Sequence, residues 1–593
     1  MNPGYLNVSR WRYRLIEMIF FGVALIIVGQ AFRLHIDPVL QKMRVDSEIY
    51  EVEQQTVYPP RGLIFDRWGN VLASNKKIYE VGADLRYVSD QETIAQTLAA
   101  YAGSNYSDVI AALNPEINDS GVEPVYSVLD NFLTEEEMTA ITAKVDEYAN
   151  MKRRKGQITP NLNGLYFVPR LMRVYPEQDL ASNIIGFVNY NGESFFGIEE
   201  NYQDLLAGNP LQISVPLDPN RVAEIPEIPE GASLVLTIDR EIQAAMEDVL
   251  DDALQETGAD DGTILVTNPE TGEILAMAVT PRMDLNNFTE FQNIFTENKP
   301  YNKGASQAYE PGSVFKVLTM AAALDSGAVN PGTTFMDTGI FEIGGIYIRN
   351  WNSGAWGYQD MQGCMQHSLN VCLAWIASQV GPERYYDYMN AFGFGQMTGL
   401  DLAGEASGRL KMPGDSDWYD ADLGTNAFGQ GVAATPVQMA MAISSVANDG
   451  KMMAPHIMKS VIQNGRQYNT QPQVVGTPIS AETARTLTDM LAASLVNESS
   501  DALVEGYSVA GKTGTAEIPT PMGYTSSETN ASFVGWGPVD DPKFLVYVWL
   551  ERPETSPWGS VVASPVFSEA VQRLVVLLNL PPDNVRQELR GQQ

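Results

Sequence analysis

Three short stretches carry residues that could act together as a nucleophile, its base and an anion holder. The first is Glu310-Pro311-Gly312-Ser313-Val314-Phe315-Lys316. Proline and glycine just before an apolar run mark a helix start. Ser313 then falls in the first turn, and Lys316, three residues on, shares its face. A neutral lysine there can take the serine proton, which is chemistry that needs no histidine. The chain has only His35, His367 and His456, so a histidine-based triad has few sources. A second serine–lysine pair at the same spacing, Ser74 and Lys77, is expected to lie in a turn, so the spacing alone decides nothing. The second stretch, Ser368-Leu369-Asn370, could present a hydroxyl and an amide to a cleft, or be a simple turn or cap. The third, Lys512-Thr513-Gly514-Thr515, follows a strand-like run from Tyr507 to Ala510. Its lysine supplies positive charge and its hydroxyls can hold a carboxylate. Glycine on a strand admits a substrate backbone at close range, although an edge strand with an ordinary glycine would look the same.

In the order Ser-x-x-Lys, Ser-x-Asn, Lys-Thr-Gly, the three stretches resemble the signature set of penicillin-binding proteins and serine β-lactamases. Other segments extend the resemblance over nearly the whole chain, to class B, monofunctional penicillin-binding proteins. Tyr58-Pro59-Pro60-Arg61-Gly62 and Asp66-Arg67-Trp68-Gly69-Asn70 are similar to that family's first N-terminal motif. Arg173-Val174-Tyr175-Pro176 and Gly197-Ile198-Glu199 are similar to later ones. Leu236-Thr237-Ile238-Asp239, and Gly429-Gln430-Gly431 with Thr435-Pro436-Val437-Gln438, resemble segments of its transpeptidase domain. Phe392 to Gly395, Thr398 to Asp401 and Glu405 to Gly408 look closer to division-type than to elongation-type members.

The resemblance implies a peptidoglycan D,D-transpeptidase. Ser313 would attack the carbonyl between two terminal D-alanines of a stem peptide, with Lys316 as base. Ser368 would relay a proton to the leaving amine, and Asn370 would hold Lys316 and the substrate amide. Lys512, Thr513 and Thr515, with Gly514 giving access, would bind the terminal carboxylate or that of a β-lactam antibiotic. The backbone N–H groups of Ser313 and Thr515 would form the oxyanion hole. An amine of a neighbouring strand would then take the acyl group. A non-catalytic β-lactam receptor is one alternative. A D,D-carboxypeptidase or β-lactamase is another, but no glutamate can be assigned to the deacylation that class A β-lactamases perform. No cofactor or metal is implied, and no Cys/His cluster has zinc spacing. No convincing glycosyltransferase domain lies between anchor and linker, so a bifunctional class A protein is not expected, and the resemblance implies a polytopic membrane glycosyltransferase as partner.

The elements that must position these residues can be read from hydropathy. Leu15 to Phe32 is apolar except for Glu17 and Gln30, and would span about 27 Å as a helix, close to a bilayer core. Arg10, Arg12 and Arg14 precede it, so the positive-inside rule puts the short N-terminus in the cytoplasm and the rest outside. A Pro/Glu-rich stretch from Pro216 to Glu230 reads as a linker. The organisation expected is a cytoplasmic tail (1–14), a transmembrane anchor (15–36), an N-terminal pedestal or dimerisation domain (37–228), a transpeptidase domain (229–580) and a polar tail (581–593). Apolar runs about Gly69-Asn70, and about Asn268 to Gly272, predict hairpins. Gln91 to Met151 looks helical, Arg240 to Leu254 amphipathic and helical, and Pro565 to Leu578 a final helix. Strands around a helical middle give an α+β fold: an antiparallel sheet plus a helical subdomain, after an elongated pedestal and one membrane helix.

The net charge of −35 repels phosphate backbones, which argues against a nucleic-acid partner. Cys364 and Cys372 would lie about 12 Å apart on one continuous helix, too far to bridge unless a turn intervenes, so whether they pair stays open.

Overall fold

The computed structural model describes residues 7–36, 52–115, 124–151, 159–216, 228–296, 299–498, 500–520 and 523–590. Most of the expected linker, the polar stretch after the anchor and the first and last few residues lie outside these. The chain divides into two compact units, Met1–Pro60 with Ala207–Gly231, and Arg61–Leu206 with Ala232–Gln593.

In the first unit, helix α1 (Asn7–Ile36) contains the segment Trp11–Arg33, of mean hydropathy 2.2, which is long and apolar enough to cross a membrane. Strands Val52–Val57 and Leu211–Pro216 pair antiparallel.

The second unit begins with the hairpin expected around Gly69-Asn70, strands β1 (Ile64–Phe65) and β2 (Val71–Asp84). Asp66 closes it, accepting hydrogen bonds from the N–H groups of Trp68 and Asn70 at 2.9 and 2.7 Å. Ser74 and Lys77, expected in a turn, lie instead within the 14-residue β2. Neighbouring side chains on a strand alternate between faces, so residues three apart cannot meet. The helical stretch expected from 91 to 151 contains α2 (Gln91–Tyr101) and α3 (Tyr106–Leu113), then strand β3 (Tyr126–Leu133), then α4 (Glu135–Ala149). Strand β4 (Leu165–Val174) pairs with β2 on the edge opposite β3's partial ladder.

Strand β5 (Ser233–Leu236) runs parallel to β1, so early and late parts of the unit share one sheet. Helix α5 (Arg240–Thr257) follows, capped by Asp239 and ended by Gly258 at φ +68°. Strands β6 (Asp261–Thr267) and β7 (Ile274–Val279) form the second expected hairpin. Helices α6 (Lys316–Asp325), α7 (Met361–Gln366), α8 (Asn370–Val380) and α9 (Pro436–Ala447) build the helical region. The first sheet is extended by β8 (Met458–Gln463) and β9 (Arg466–Asn469), giving the order β9-β8-β5-β1-β2-β3 with β4 also on β2. Helix α10 (Ala481–Glu498) leads to β10 (Ala510–Thr520), β11 (Gly523–Gly537), β12 (Phe544–Glu551), α11 (Gly559–Leu577) and α12 (Asp583–Arg590). The strand expected over Tyr507 to Ala510 therefore starts only at Ala510, and the last expected helix starts earlier, at Gly559. The expected polar tail contains α12, tied down by Asp583, which accepts from Ser508 N–H at 2.7 Å.

The central five-stranded antiparallel sheet has the order β7-β6-β12-β11-β10. Both faces are covered, and β12 shows how. Phe544, Val546, Val548 and Leu550 face a core with α5 and α11, while Leu545, Tyr547 and Trp549 face the helical region. Helix α11 is also apolar enough for a membrane span, but Val562, Phe567, Val571 and Leu574 are buried in that core. β10 is the edge strand, and it carries Lys512 to Thr515.

Candidate active site

The turn carrying Ser313 is a 3-10 helix, Gly312–Phe315, that runs directly into α6. In that geometry residues i and i+3 eclipse. Ser313 lies within that turn and Lys316 caps it as the first residue of α6, three positions on and on the same face. Val314 and Phe315 are fully buried beneath the turn, and Ser313 stays half-buried. Gly312 has φ +62°, and a Cβ there would stand 2.7 Å from the carbonyl oxygen of Thr515. Its N–H donates to the Gly429 carbonyl at 3.1 Å. The turn is therefore wedged between β10 and the Gly429–Gly431 loop.

Lys316 is completely buried. Its Nζ donates to the Ser368 carbonyl at 2.7 Å and to Asn370 Oδ1 at 2.7 Å, and lies 3.1 Å from Ser368 Oγ. Burial pushes its pKa far below the ordinary lysine value, and the charge of Lys512 pushes it the same way. A neutral amine has two N–H groups and one lone pair. The two carbonyl-type oxygens can only accept, so they take both N–H groups. The lone pair is left for a hydroxyl.

Ser368 sits at φ +51°, in the left-handed region that a non-glycine residue seldom occupies. It reverses the chain between α7 and α8. Because of that reversal Cys364 and Cys372 are not on one helix: their Cα atoms are 6.0 Å apart and they form a disulfide. The low expectation of a bridge, based on helical distance, is corrected by this break. The bridge brackets Ser368-Leu369-Asn370. Asn370 Nδ2 donates to the Arg349 carbonyl at 3.2 Å, which leaves Oδ1 directed at Lys316.

Lys512 Nζ donates to Ser368 Oγ at 3.0 Å and to Thr513 Oγ1 at 3.3 Å. Burial lowers its pKa to about 8, against the opposing pull of Glu498. Glu498 pairs with His367, which in turn stacks on Trp356 at 4.2 Å. Thr515 Oγ1 accepts from Gly559 N–H at 3.0 Å, so the start of α11 fixes that hydroxyl's lone pair and leaves its proton free to donate. Gly514 is required by packing as well as by any substrate: a Cβ would lie 2.2 Å from Ser532 Oγ and 2.9 Å from Val314 Cγ1.

The structure thus joins Lys316, Ser368, Asn370, Lys512 and Thr513 in one hydrogen-bonded cluster, with the Ser313 turn packed against Gly514 and Thr515 of β10. Among the described residues no group of three His, Cys, Asp or Glu side chains is placed to hold a metal ion. Sequence reading gave no role to Glu310, whose Oε1 accepts from Gly431 N–H at 3.0 Å, or to Gly559. The signal for Glu310 was its place three residues before Ser313. Gly559 had none, because its partner is 44 positions away in the chain.

The penicillin-binding protein transpeptidase domain matches residues 262–572, and the penicillin-binding protein dimerisation domain matches residues 56–222. The chain belongs to the class B penicillin-binding proteins. Stage V sporulation protein D of Bacillus subtilis is 30% identical to this class B chain over 96% of it and 86% of that protein. Peptidoglycan D,D-transpeptidase FtsI of Escherichia coli is 26% identical over 98% and 94% respectively. In fold, penicillin-binding protein 3 of Mycobacterium tuberculosis, solved with aztreonam, superposes with a TM-score of 0.67 at 24% identity, covering 89% of this chain and 98% of that one.

Proposed function

We propose that the chain is a division-type peptidoglycan D,D-transpeptidase that works through a Ser313 acyl-enzyme and is acylated by β-lactams. The observation that carries this is the buried amine of Lys316, three residues beyond Ser313, whose two N–H groups are engaged by Ser368 O and Asn370 Oδ1. Lys316 takes the Ser313 proton as Oγ attacks the penultimate D-alanine carbonyl. The Ser313 and Thr515 N–H groups hold the oxyanion; first-turn N–H groups have no partner within their helix, which leaves that of Ser313 available. Ser368, within hydrogen-bond reach of both ammonium nitrogens, passes the proton to the departing D-alanine amine. Lys512, Thr513 and Thr515 hold its carboxylate. An amine from a second stem peptide then attacks the ester and forms the crosslink.

Helix α1 anchors the protein in the cell membrane with the cleft on the extracytoplasmic side, and a polytopic glycosyltransferase supplies the glycan strands. The division role rests on similarity to FtsI and on the Phe392 to Gly408 segment. Labelling with a fluorescent penicillin tests the nucleophile: wild type is expected to label and Ser313→Ala not to, and equal labelling would refute the assignment. A D-Ala-D-Ala peptide given with a primary amine tests the reaction. Transfer product is expected; free acid alone would make the protein a hydrolase.

A further inference from the structure

The second half of the proposed reaction needs a group that Ser313, Lys316 and Lys512 do not provide. An acceptor amine arrives as an ammonium, and the charge of Lys512 repels it from that end of the site. Glu310 is the carboxylate next to the nucleophile, three residues before Ser313 and rigidly joined to it through Pro311 and Gly312. It is half-buried, and its side chain is oriented from two directions. Gly431 N–H donates to Oε1 at 3.0 Å, and Tyr524 O–H, from the β10–β11 hairpin, lies 3.1 Å from each oxygen. Tyr524 is 48% exposed and Glu310 itself only half-buried, so the pair is not sealed into the core.

The charges around the Glu310–Tyr524 pair are mixed. Asp422 and Glu517 act on Tyr524 alongside Glu310, and Lys411 is the cation facing them. Lys411 is paired with Asp422 at 3.0 Å. Lys411 is thereby engaged, and among the described residues Glu310 forms no ion pair of its own. A carboxylate has about four lone-pair sites, so Gly431 and Tyr524 leave it able to accept another donor. Burial also raises Glu310 above the usual glutamate value, which makes it a better proton acceptor than an exposed carboxylate.

From this geometry, and resting on the transpeptidase reading above, we propose that Glu310 binds the acceptor ammonium and takes its first proton. The two protons that nitrogen must lose are then accounted for. The first goes from R–NH3+ to the Glu310 carboxylate and on to water. The neutral amine attacks the acyl carbonyl, forming the C–N bond. The second proton leaves the tetrahedral nitrogen for neutral Lys316, which delivers it to Ser313 Oγ as the ester C–O bond breaks. The products are an amide, free serine and one released proton.

The test uses the full-length protein, an acetylated D-Ala-D-Ala peptide with no other amine, and glycinamide as acceptor. The donor can then supply no competing ammonium. Glu310→Gln keeps the shape and the acceptor for Gly431 N–H but loses the charge and the base. Its transfer-to-hydrolysis ratio is expected to fall by at least roughly tenfold, the scale of a general base. That loss should exceed any loss in acylation by β-lactam, and the acid limb of the glycinamide kcat/KM profile should lose the Glu310 step and keep only that of Lys316. Tyr524→Phe cuts the same hairpin contact but leaves the carboxylate, and its ratio is expected to stay within about twofold of wild type, because only a general base carries the larger effect. If Glu310→Gln loses acylation and transfer in parallel, or if Tyr524→Phe reproduces its ratio, Glu310 only ties the turn to the hairpin and the proposal is overturned. If the wild type gives no glycinamide product at all, the transpeptidase reading itself falls. If it does and Glu310→Gln partitions identically, only the Glu310 assignment falls.

Discussion

A lysine in water at pH 7 is neutral in only about one molecule in two thousand, so a lysine base must be made by its surroundings. At Lys316 burial is the larger influence and the Lys512 charge the second, and both favour the neutral form. The two lysines are therefore coupled, and the site should titrate as a pair. In the proposed mechanism acylation needs Lys316 neutral and Lys512 charged. As pH falls through the lowered value of Lys316, the base is lost. As pH rises through about 8, Lys512 loses its proton and its hold on the substrate carboxylate. A bell-shaped acylation rate is expected, with its alkaline limb near 8. In Lys512→Arg the cation persists at all working pH values, so the alkaline limb should vanish even though the bulkier head lowers the overall rate. Second-order acylation of a chromogenic β-lactam across pH measures this, and an unmoved limb in that variant would assign it to another group.

The elements explain why the candidate residues were legible while their arrangement was not. Ser313, Lys316 and the Lys512 to Thr515 run stood out because each chemical role needs particular side chains at short spacing. The Cys364–Cys372 bridge did not, since its distance depends on Ser368 adopting φ +51° and breaking the helix between α7 and α8. Strand β3 was missed for a related reason: its ladder partner is β2, more than 40 residues away, so local periodicity alone favoured helix. The bridge has a measurable consequence. It closes a short loop that holds Ser368 and Asn370 against Lys316, and loop closure of this size is worth about 2–3 kcal/mol on the chain-entropy estimate. Replacing both cysteines by serine should lower Tm by a few degrees, roughly 1 °C per kcal/mol for a chain of this size. Acylation should slow more than that global loss alone would cause, because both partners of Lys316 lose their constraint. Differential scanning calorimetry with acylation kinetics checks both parts. A lowered Tm with wild-type acylation would make the bridge a matter of stability only.

At the scale of the whole molecule, the sequence revealed the long apolar N-terminal helix and the antiparallel sheet but not how distant segments share a sheet. β1 lies between β2 and β5, with Ile64 opposite Leu234 and Phe65 opposite Val235. No local pattern in two residues could have announced that parallel pairing. Glu199 is likewise gripped by both Arg61 and Arg173, at 2.5 and 2.7 Å, and ties motifs that the sequence showed only as separate matches. All eight residues assigned to the cleft, and Glu310, belong to the unit made of Arg61–Leu206 and Ala232–Gln593. Helix α1 belongs to the other unit, and the side chains of Phe20, Phe21, Ile26 and Phe32 on it are exposed. Its 23 apolar-segment residues span about 34 Å, against a hydrocarbon core of about 30 Å. Membrane attachment and acylation should therefore separate cleanly. Removing residues 1–36 should abolish flotation with lipid vesicles while the penicillin acylation rate stays within about twofold, since no cleft residue loses a neighbour that shapes its pKa. A larger fall in acylation, with an unchanged Tm, would mean that the anchor acts on the cleft as well as on location.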